Sequence, residues 1–487
     1  MNKRTWRRQH KWLGLGMMFF MLMFCLSGIL LNHRSLISHV NVSRKYLPSR
    51  YEFRNWNGGL LRGTLAVDSI VPTELRQTND SSQLLLYGNG GIWLTNSKAS
   101  YFIDFNQGLP IGADYRQIRN VVKIGHHALF ALSPFALYRY DEHNAWHEVK
   151  VPLDDDEKLT DVACHGDTLV VLGRSYVYTS LPPYTTFSRV QLQAPKDYDG
   201  KVSLFRTVWL LHSGELFGIA GKLMVDAIAL VLVVLCITGG VFWLRPKQKP
   251  LLKYSLRLHD RVGRYTLLLT LLVVITGWCL RPPIMIALVQ NKTPAPPGTT
   301  LRSQHPWHDK LRMLRYDEHF NDWLLSTSEG FYSMRLNGGA VTKVAAAPPV
   351  SVMGLNVLQK DGSGKWLCGS FSGLYVWDRR RSTSTDYFTG EPAPSSSGAP
   401  FGKKAIAGMS QDFQSPVVAE YYEGTPFAPQ PEVMNHLPMS LWNVALELHS
   451  GRLFIGSIAT YVFIFFMGLL ALWCLWSGYR VRLKRKG

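Results

Sequence analysis

The sequence has few cysteines, and none of them has a spacing that gives cysteine a chemical role. Six cysteines occur in 487 residues, and no two form a CxxC pair. Neither thioredoxin-like chemistry nor covalent attachment of a prosthetic group through CxxCH is therefore supported. Cys164 and Cys368 lie in two long segments outside the apolar runs, and we expect buried thiols there rather than a disulfide.

Recognisable hydrolase and nucleotide-binding motifs are also missing. The glycine-rich stretch at 88–91 lies between two apolar strand patterns and is not followed by a helix pattern, so it predicts a hairpin turn. The stretch Gly362-Ser363-Gly364-Lys365 lacks the spacing and the hydroxyl residue of a phosphate-binding loop. We find no Ser-His-Asp arrangement and no zinc-protease signature in the sequence.

Acidic residues are nearly absent from three short segments that carry most of the net charge of +19. Seventeen basic residues lie in the segments 1–11, 245–264 and 479–487, with Asp260 as the one acidic residue among them. Basic residues that flank apolar runs on one side follow the positive-inside pattern. This location argues against nucleic acid as a partner and predicts that both termini are cytoplasmic.

Four apolar runs reach the roughly 20 residues that cross a bilayer, and the first has no small-residue cleavage site after it, so we expect a retained anchor. The sequence predicts a membrane α + β protein. Its segments are 1–11 cytoplasmic tail, 12–33 first span, 34–210 β-rich outer segment, 211–244 second span, 245–264 cytoplasmic loop, 265–289 third span, 290–447 second β-rich outer segment, 448–478 fourth span and 479–487 cytoplasmic tail.

A phrase of a short apolar strand, a turn and an apolar-aromatic strand recurs in both long segments. Its aromatic positions are separated by 40 to 45 residues within a segment, at Trp93, Tyr138 and Tyr178 and again at Tyr332 and Tyr375. Paired strands at this period are typical of propeller blades. The alternative is a set of ordinary β-meanders whose spacing is coincidental.

Two histidine motifs are each duplicated. HSGxLF begins at His212 and at His449, and HxxxG begins at His10 and at His259, each copy just before an apolar run. Each half of the chain thus has the same order of motifs, which predicts a four-helix bundle of two pseudo-symmetric halves. His33 lies near the outer end of the first run, and its counterpart in the second half is Pro282.

Histidine pairs within a membrane bundle favour a role as metal ligands. Paired imidazoles on facing helices are the usual way for a bundle to hold b-type haem iron. Zinc is the second candidate, but no carboxylate or thiol recurs beside these histidines. A purely structural role as caps or hydrogen-bonding groups is the alternative. Asp226, inside the second span, is a weaker candidate for a proton or substrate path.

The motifs resemble those of the PepSY-associated transmembrane proteins, which include bacterial siderophore-iron reductases of the inner membrane. The resemblance rests on RQHKWLG at 8–14, SGILLNH at 27–33, LHSG at 211–214 and LHSG at 448–451. It implies a location in the bacterial inner membrane, with both outer segments periplasmic. It also implies a dihaem cytochrome that passes electrons outward to ferric iron in the periplasm. The long segments show no clear PepSY domain, and they would recognise the substrate.

These observations lead to a haem-dependent oxidoreductase with two b-type haems. One haem is expected on His10 and His259, and the other on two of His212, His449 and His33. The electron donor would be a cytoplasmic protein or a quinol, and the acceptor a ferric siderophore or another periplasmic species. The alternatives are a membrane-anchored sensor or assembly protein with a propeller-like binding domain, and a small permease with Asp226 on its path.

Overall fold

The computed structural model describes residues 2–67, 82–125, 128–141, 143–154, 157–244, 249–303, 305–351, 353–395 and 404–481. Arg245, Lys247 and the four basic residues from Arg482 onward, which belong to the charge argument above, lie outside these ranges. The chain divides into two compact units. A helical unit comprises Met1–Ser38, Asp199–Ser303 and Ser440–Gly487, and a β-rich unit comprises His39–Tyr198 and Gln304–Met439.

Nine α-helices are found in the described residues. Their bounds are α1 Lys3–Asn32, α2 Arg34–Ile37, α3 Leu204–Ser213, α4 Gly218–Leu244, α5 Lys249–Cys279, α6 Ile284–Gln290, α7 Glu432–Asn435, α8 Leu441–His449 and α9 Ser457–Val481. In the helical unit, α1 and α5 each pack against both α4 and α9. These four long helices therefore form a bundle in which each helix packs against one helix of its own half of the chain and one helix of the other half.

The four long helices are able to cross a membrane by length and composition. The apolar stretches are Lys3–Asn32, Glu215–Leu244, Pro250–Cys279 and Ala459–Val481. Large apolar side chains on their surfaces are exposed to the surroundings, for example Ile219 and Leu268, each 78% exposed. Such side chains are stable in hydrocarbon and costly in water. The protein is therefore a membrane protein whose helices contact the lipid bilayer, as predicted.

The third long helix differs from the expected span at both ends. The segment 245–264, expected as a loop, is helical from Lys249 onward, because its leucine, lysine and arginine residues favour helix. The apolar run 265–289 does not form one helix. Pro282 and Pro283 follow the end of α5 at Cys279, and α6 begins at Ile284. A proline interrupts a helix because it lacks the backbone N–H and clashes with the preceding turn.

The glycine of each HSG motif ends a short helix. Gly214 follows α3 with φ of 81°, and Gly451 follows α8 with φ of 73°. A side chain is strained at these angles. A Cβ atom at position 214 would also lie 2.2 Å from the carbonyl oxygen of Gly221. The motif therefore marks a place where a histidine-bearing helix stops and the chain turns into a membrane span.

The described residues contain twenty-six strands. Their bounds are β1 Asn41–Val42, β2 Gly63–Ala66, β3 Gln83–Gly88, β4 Gly91–Asn96, β5 Ile103–Asp104, β6 Asn120–Ile124, β7 Ala128–Leu132, β8 Leu137–Tyr140, β9 Trp146–Val149, β10 Leu159–His165, β11 Thr168–Gly173, β12 Val177–Ser180, β13 Ser188–Val190, β14 Lys201–Ser203, β15 Lys292–Pro294, β16 Leu311–Asp317, β17 Asp322–Thr327, β18 Gly330–Met334, β19 Thr342–Lys343, β20 Leu355–Lys360, β21 Trp366–Ser370, β22 Gly373–Asp378, β23 Thr383–Asp386, β24 Ile406–Ser410, β25 Val417–Glu420 and β26 Met439–Ser440.

Five antiparallel sheets of four strands make up most of the β-rich unit. They are β2 to β5, β6 to β9, β10 to β13, β16 to β19 and β20 to β23, each in sequence order, and β24 pairs with β25. The recurring phrase of the sequence is the central hairpin of each sheet. The predicted strand pairs are confirmed by the register Leu86–Trp93, Ala131–Tyr138, Val171–Tyr178, Leu325–Tyr332 and Cys368–Tyr375.

The first strands of successive sheets lie side by side. Contacts join β2 to β6, β6 to β10, β10 to β16, β16 to β20, β20 to β24 and β24 to β2. Asp161 links three sheets, since it accepts from Asn120 Nδ2 at 3.3 Å and from the backbone N of Leu314 at 2.9 Å. The six cysteines are free thiols; Cys368 is buried, as expected, whereas Cys164 is half-buried.

Candidate functional site

The four duplicated histidines form two pairs inside the helical unit. The rings of His10 on α1 and His259 on α5 have centroids 6.0 Å apart and planes at 73°. The rings of His212 on α3 and His449 on α8 also have centroids 6.0 Å apart, with planes at 44°. Each pair combines one histidine from each half of the chain, so the motif order of the sequence predicts the pairing.

A neighbouring helix holds each ring in the same way. The Nδ1 atom of His10 lies 3.0 Å from the carbonyl oxygen of Cys474 and 3.3 Å from the hydroxyl of Ser477, both on α9. The Nδ1 atom of His449 lies 3.0 Å from the carbonyl oxygen of Phe24 and 3.2 Å from the hydroxyl of Ser27, both on α1.

The other two histidines repeat this contact. The Nδ1 atom of His212 lies 3.1 Å from the carbonyl oxygen of Val273 and 3.3 Å from the hydroxyl of Thr276. The Nδ1 atom of His259 lies 2.9 Å from the hydroxyl of Thr238. We call each Ser-Gly or Thr-Gly dipeptide that holds an imidazole, with the preceding turn of its helix, a histidine seat.

The hydrogen-bond roles in a seat follow from its hydroxyl. Ser27 donates its own hydrogen to the carbonyl of Met23 at 2.7 Å, and Thr276 donates to the carbonyl of Leu272 at 2.8 Å. Ser477 and Thr238 likewise donate within their own helices. Each hydroxyl and each backbone carbonyl is therefore an acceptor towards the imidazole, and Nδ1 carries the ring proton. The Nε2 atom then has a free lone pair, as a metal-bound histidine requires.

The glycine of each seat makes room for the ring. A Cβ atom at Gly277 would lie 2.6 Å from Cε1 of His212, and one at Gly478 would lie 2.9 Å from Cε1 of His10. At Gly28 the distance to His449 would be 3.2 Å, and at Gly239 the distance to His259 would be 3.7 Å. Three of the four seats are thus too tight for any larger residue without movement of the imidazole.

The role of the Ser-Gly and Thr-Gly dipeptides as seats was missed by the sequence analysis, although a signal is present. Ser27 follows His10 by 17 residues, and Thr276 follows His259 by the same number. Seventeen residues of helix span about 25 Å, so α1 and α5 each provide a histidine at one level and a seat at the other. The two histidine pairs are separated by this distance along the bundle.

His33 lies apart from the two pairs. It follows α1 directly, and its Nε2 atom lies 2.8 Å from a carboxylate oxygen of Asp226 on α4. Asn32 donates to the other oxygen of Asp226 at 2.9 Å. The structure therefore gives Asp226 two partners, which the sequence did not predict. Of the three histidines considered for the second pair, it brings His212 and His449 together.

No cluster of three or more metal-binding side chains is found among the described residues. Each histidine pair offers two imidazole nitrogens, and the one thiol beside them in the described residues, that of Cys474, lies 3.6 Å from the hydrogen-bonded Nδ1 atom of His10. A structural zinc site normally has four protein ligands in a tetrahedron. The donor set of each pair is therefore incomplete for a structural zinc site.

A polar cleft lies at the turns of two neighbouring sheets in the β-rich unit. Arg379 bridges two buried carboxylates, at 2.8 Å from Asp317 and 2.5 Å from Asp322. Lys360 and the indole of Trp366 also bind Asp317, at 3.0 Å and 3.1 Å. Burial alone would raise the pKa of Asp317, but the hydrogen bonds from Lys360, Arg379 and Trp366 outweigh it and lower this pKa. These charges are matched within the protein, which indicates a structural network.

Comparisons with known proteins give one clear result. The family model described as the PepSY-associated TM region matches the chain twice, over residues 1–246 and 241–485. The two matched ranges correspond to the two copies of the histidine motifs. No curated protein matches the chain.

Two of the similar solved structures are crystal structures of the extracellular domain of BT4673 from B. thetaiotaomicron, described in one as a hybrid two-component system and in the other as a one-component system. Their identities to this chain are 9% and 11%, with TM-scores of 0.35 and 0.31. Each covers 74% of this chain, whereas the chain spans only 32% and 39% of their length. This level of likeness carries no functional information.

Proposed function

The chain belongs to the family of the PepSY-associated TM region, and from that premise we propose that it is a dihaem b-type oxidoreductase of the bacterial inner membrane. In this proposal electrons cross the membrane from a cytoplasmic or quinol donor to a periplasmic acceptor. The acceptor would be ferric iron or a ferric siderophore, as the resemblance implies.

The observation that carries the proposal is the geometry of the two histidine pairs. Two imidazoles that share one metal through bonds of about 2 Å have centroids roughly 6 Å apart, and both pairs have 6.0 Å. In all four rings the hydrogen bond at Nδ1 leaves Nε2 as the ligating atom. The residues present therefore fit bis-histidine haem iron, with His10 and His259 at one level and His212 and His449 at the other.

Haem would supply one-electron chemistry at each level. The chain's own contribution is to fix the imidazoles and to exclude water between the levels. An apolar cluster fills part of this interval, with Met17 and Phe20 on α1 packed near Phe463 and Met467 on α9. A dry, rigid interior limits reorganisation around a charge that moves through it. The separation of about 25 Å would leave each haem near one membrane face.

We further propose that the bundle has pseudo-twofold symmetry. The exchanged seats support it: α9 holds His10 while α4 holds His259, and α5 holds His212 while α1 holds His449. Each contact made by one half to the other thus has a counterpart in the opposite direction. With such symmetry, each cofactor site would be built from equivalent residues of the two halves of the chain.

The orientation of the helix bundle in the membrane is inferred from the distribution of basic residues. Basic residues flank His10 and His259 in the sequence, and few acidic residues accompany them. Under the positive-inside pattern, this end of the bundle and both termini would be cytoplasmic. The His212–His449 pair would then face the periplasm, together with the β-rich unit.

For the β-rich unit we propose a six-bladed propeller assembled from both long segments. The side-by-side order of β2, β6, β10, β16, β20 and β24 supports a closed ring of blades, with β24–β25 as a smaller sixth blade. A propeller would present turns from several blades on one face, where a bulky ferric complex would be recognised.

The proposal is tested by cofactor content and by electron transfer across a membrane. The purified protein is expected to contain two b-type haems per chain with low-spin bis-histidine spectra. In vesicles loaded with dithionite and placed in ferric citrate, an impermeant chelator should detect external Fe(II) with the wild type. The variant His259→Ala should retain one haem but not transfer electrons. A purified wild type without haem would contradict the proposal, and unimpaired function of histidine variants would favour a sensor role.

A further inference from the structure

Arg281 lies near the His212–His449 pair and has no matching carboxylate among the described residues. It lies two residues beyond the end of α5 and is enclosed by protein atoms, yet part of its surface remains accessible. In the described part of the chain, the guanidinium of Arg281 makes no hydrogen bond and no ion pair.

The position of Arg281 links it to the histidine pair. It follows Thr276, the seat residue of His212, by five residues, the last two of which lie beyond the end of α5. It lies within electrostatic range of both His212 and His449. An unpaired guanidinium in a low-dielectric interior is costly. Such a group is expected to have an anionic partner in the complete protein.

The other half of the chain shows what is missing beside Arg281. Asn32 follows His10 by 22 residues, as Arg281 follows His259. Asn32 binds Asp226, which lies 12 residues before the seat residue Thr238. Twelve residues before the corresponding seat residue, Ser477, the chain has Phe465. The second half therefore has a cation in place of the amide and an aromatic ring in place of the carboxylate.

The nearby acidic side chain is already engaged. Glu447 on α8 binds Arg452 through both oxygens, at 2.6 Å and 2.9 Å. A bidentate pair of this kind is a strong and specific arrangement. Glu447 contributes to the field at Arg281 but forms no ion pair with it. No carboxylate of the described residues pairs with Arg281, which leaves a bound anionic group as its partner.

We infer that Arg281 binds a carboxylate of the cofactor held by His212 and His449. Haem b carries two propionates, and the arginine fork matches carboxylate geometry. This inference rests on the proposed function and adds a binding residue to one of its two cofactor sites. Asn32, at the equivalent position in the other half, binds Asp226 instead.

The test compares Arg281→Gln with Arg281→Lys and with a control, Lys222→Gln. Lys222 lies in the first turns of α4 and is paired with Glu215 at 3.0 Å, so its loss should not affect the cofactor. Haem per chain and both midpoint potentials are measured by optical redox titration in detergent. Loss of a positive charge disfavours the reduced, more negative state. Arg281→Gln should therefore lower one potential, or lose that haem, while the other potential is unchanged.

The remaining outcomes are also decisive. Arg281→Lys should restore part of the potential, and Lys222→Gln should match the wild type. If Arg281→Gln retains two haems at unchanged potentials, the inference is overturned. It is also overturned if only the apparent affinity for ferric citrate falls, because the anion would then be the acceptor. If the wild type contains no haem, the proposed function itself fails, which separates the two failures.

Discussion

The Nδ1 atom of His449 lies 3.2 Å from the hydroxyl oxygen of Ser27, although 422 residues separate them in the chain. Ser27 donates its hydrogen to the carbonyl of Met23, so the imidazole must donate to Ser27. This contact fixes both the position of the ring and the nitrogen that remains free. His212 has the same relationship to Thr276, which shows that the two halves of the chain hold each other's histidines.

Removal of one ligand should eliminate one haem. We expect His259→Ala to contain about half of the wild-type haem, because the His10–His259 pair would lose an axial ligand. His33→Ala is the matched control and should retain both haems, since His33 binds Asp226 rather than the pair. A pyridine haemochrome assay per mole of protein measures both variants. Normal haem content in His259→Ala, or loss of a haem in His33→Ala, would contradict the assignment.

Alanine substitutions at two of the seat glycines should differ sharply in their effect on haem content. In Gly277→Ala the new Cβ would lie 2.6 Å from the ring of His212, so the imidazole must move and its haem should be lost. In Gly239→Ala the corresponding distance to His259 is 3.7 Å, which is an ordinary contact. Haem content and the low-spin absorption bands of the two purified variants test the difference. Equal haem content in both variants would show that seat tightness does not control ligation.

Loss of the Asp226 carboxylate should weaken the contact between α1 and α4. Asp226→Ala leaves the donors of Asn32 and His33 without an acceptor, and we expect a loss of about 1–3 kcal/mol in stability. Asp226→Asn keeps one acceptor oxygen and should lose less. Thermal unfolding of the protein in detergent measures the effect. Both variants should keep two haems, and loss of a haem would place Asp226 at the cofactor site.

The β-rich unit should lose stability in acid through Asp317. Its pKa is lowered in the folded state because the hydrogen bonds from Lys360, Arg379 and Trp366 outweigh its burial. A carboxylate of this kind contributes stability above its unfolded pKa of about 3.9, and the contribution is lost as the pH falls through the lower folded value. Urea unfolding followed by tryptophan fluorescence between pH 5 and 3 measures the slope of the unfolding free energy against pH.

Asp317→Asn is the variant that isolates this group. It cannot ionise, so the acid-dependent part of the slope should decrease, while the variant is less stable than the wild type at neutral pH. Asp378→Asn serves as a comparison, because Asp378 lies on the neighbouring turn and its pKa is lowered mainly by a hydrogen bond from the backbone N–H of Arg381 rather than by buried cations. If Asp317→Asn keeps the wild-type slope, the buried network does not control the acid response.

Much of the architecture could be predicted from sequence patterns with a local cause. The four spans follow from apolar length, because every backbone group in hydrocarbon must be bonded within its own helix. The central hairpins, such as Leu325 with Tyr332, follow from apolar strands joined by short turns. The ends of α5 were not predicted, because its basic first turns continue the helix while Pro282 and Pro283 interrupt an apolar run that looked uniform.

The sequence alone determined that the histidines come as two duplicated sets, since each set repeats with its own spacing and flanks. Only the tertiary structure decided which partner each histidine ring nitrogen binds. The contact of His10 with Ser477 and that of His33 with Asp226 join residues far apart in the chain, and no local pattern encodes which helices become neighbours. The packing of α1 against α4, α8 and α9 selects His449 over His33 as the partner of His212, because a ring can face only the helix that lies beside it.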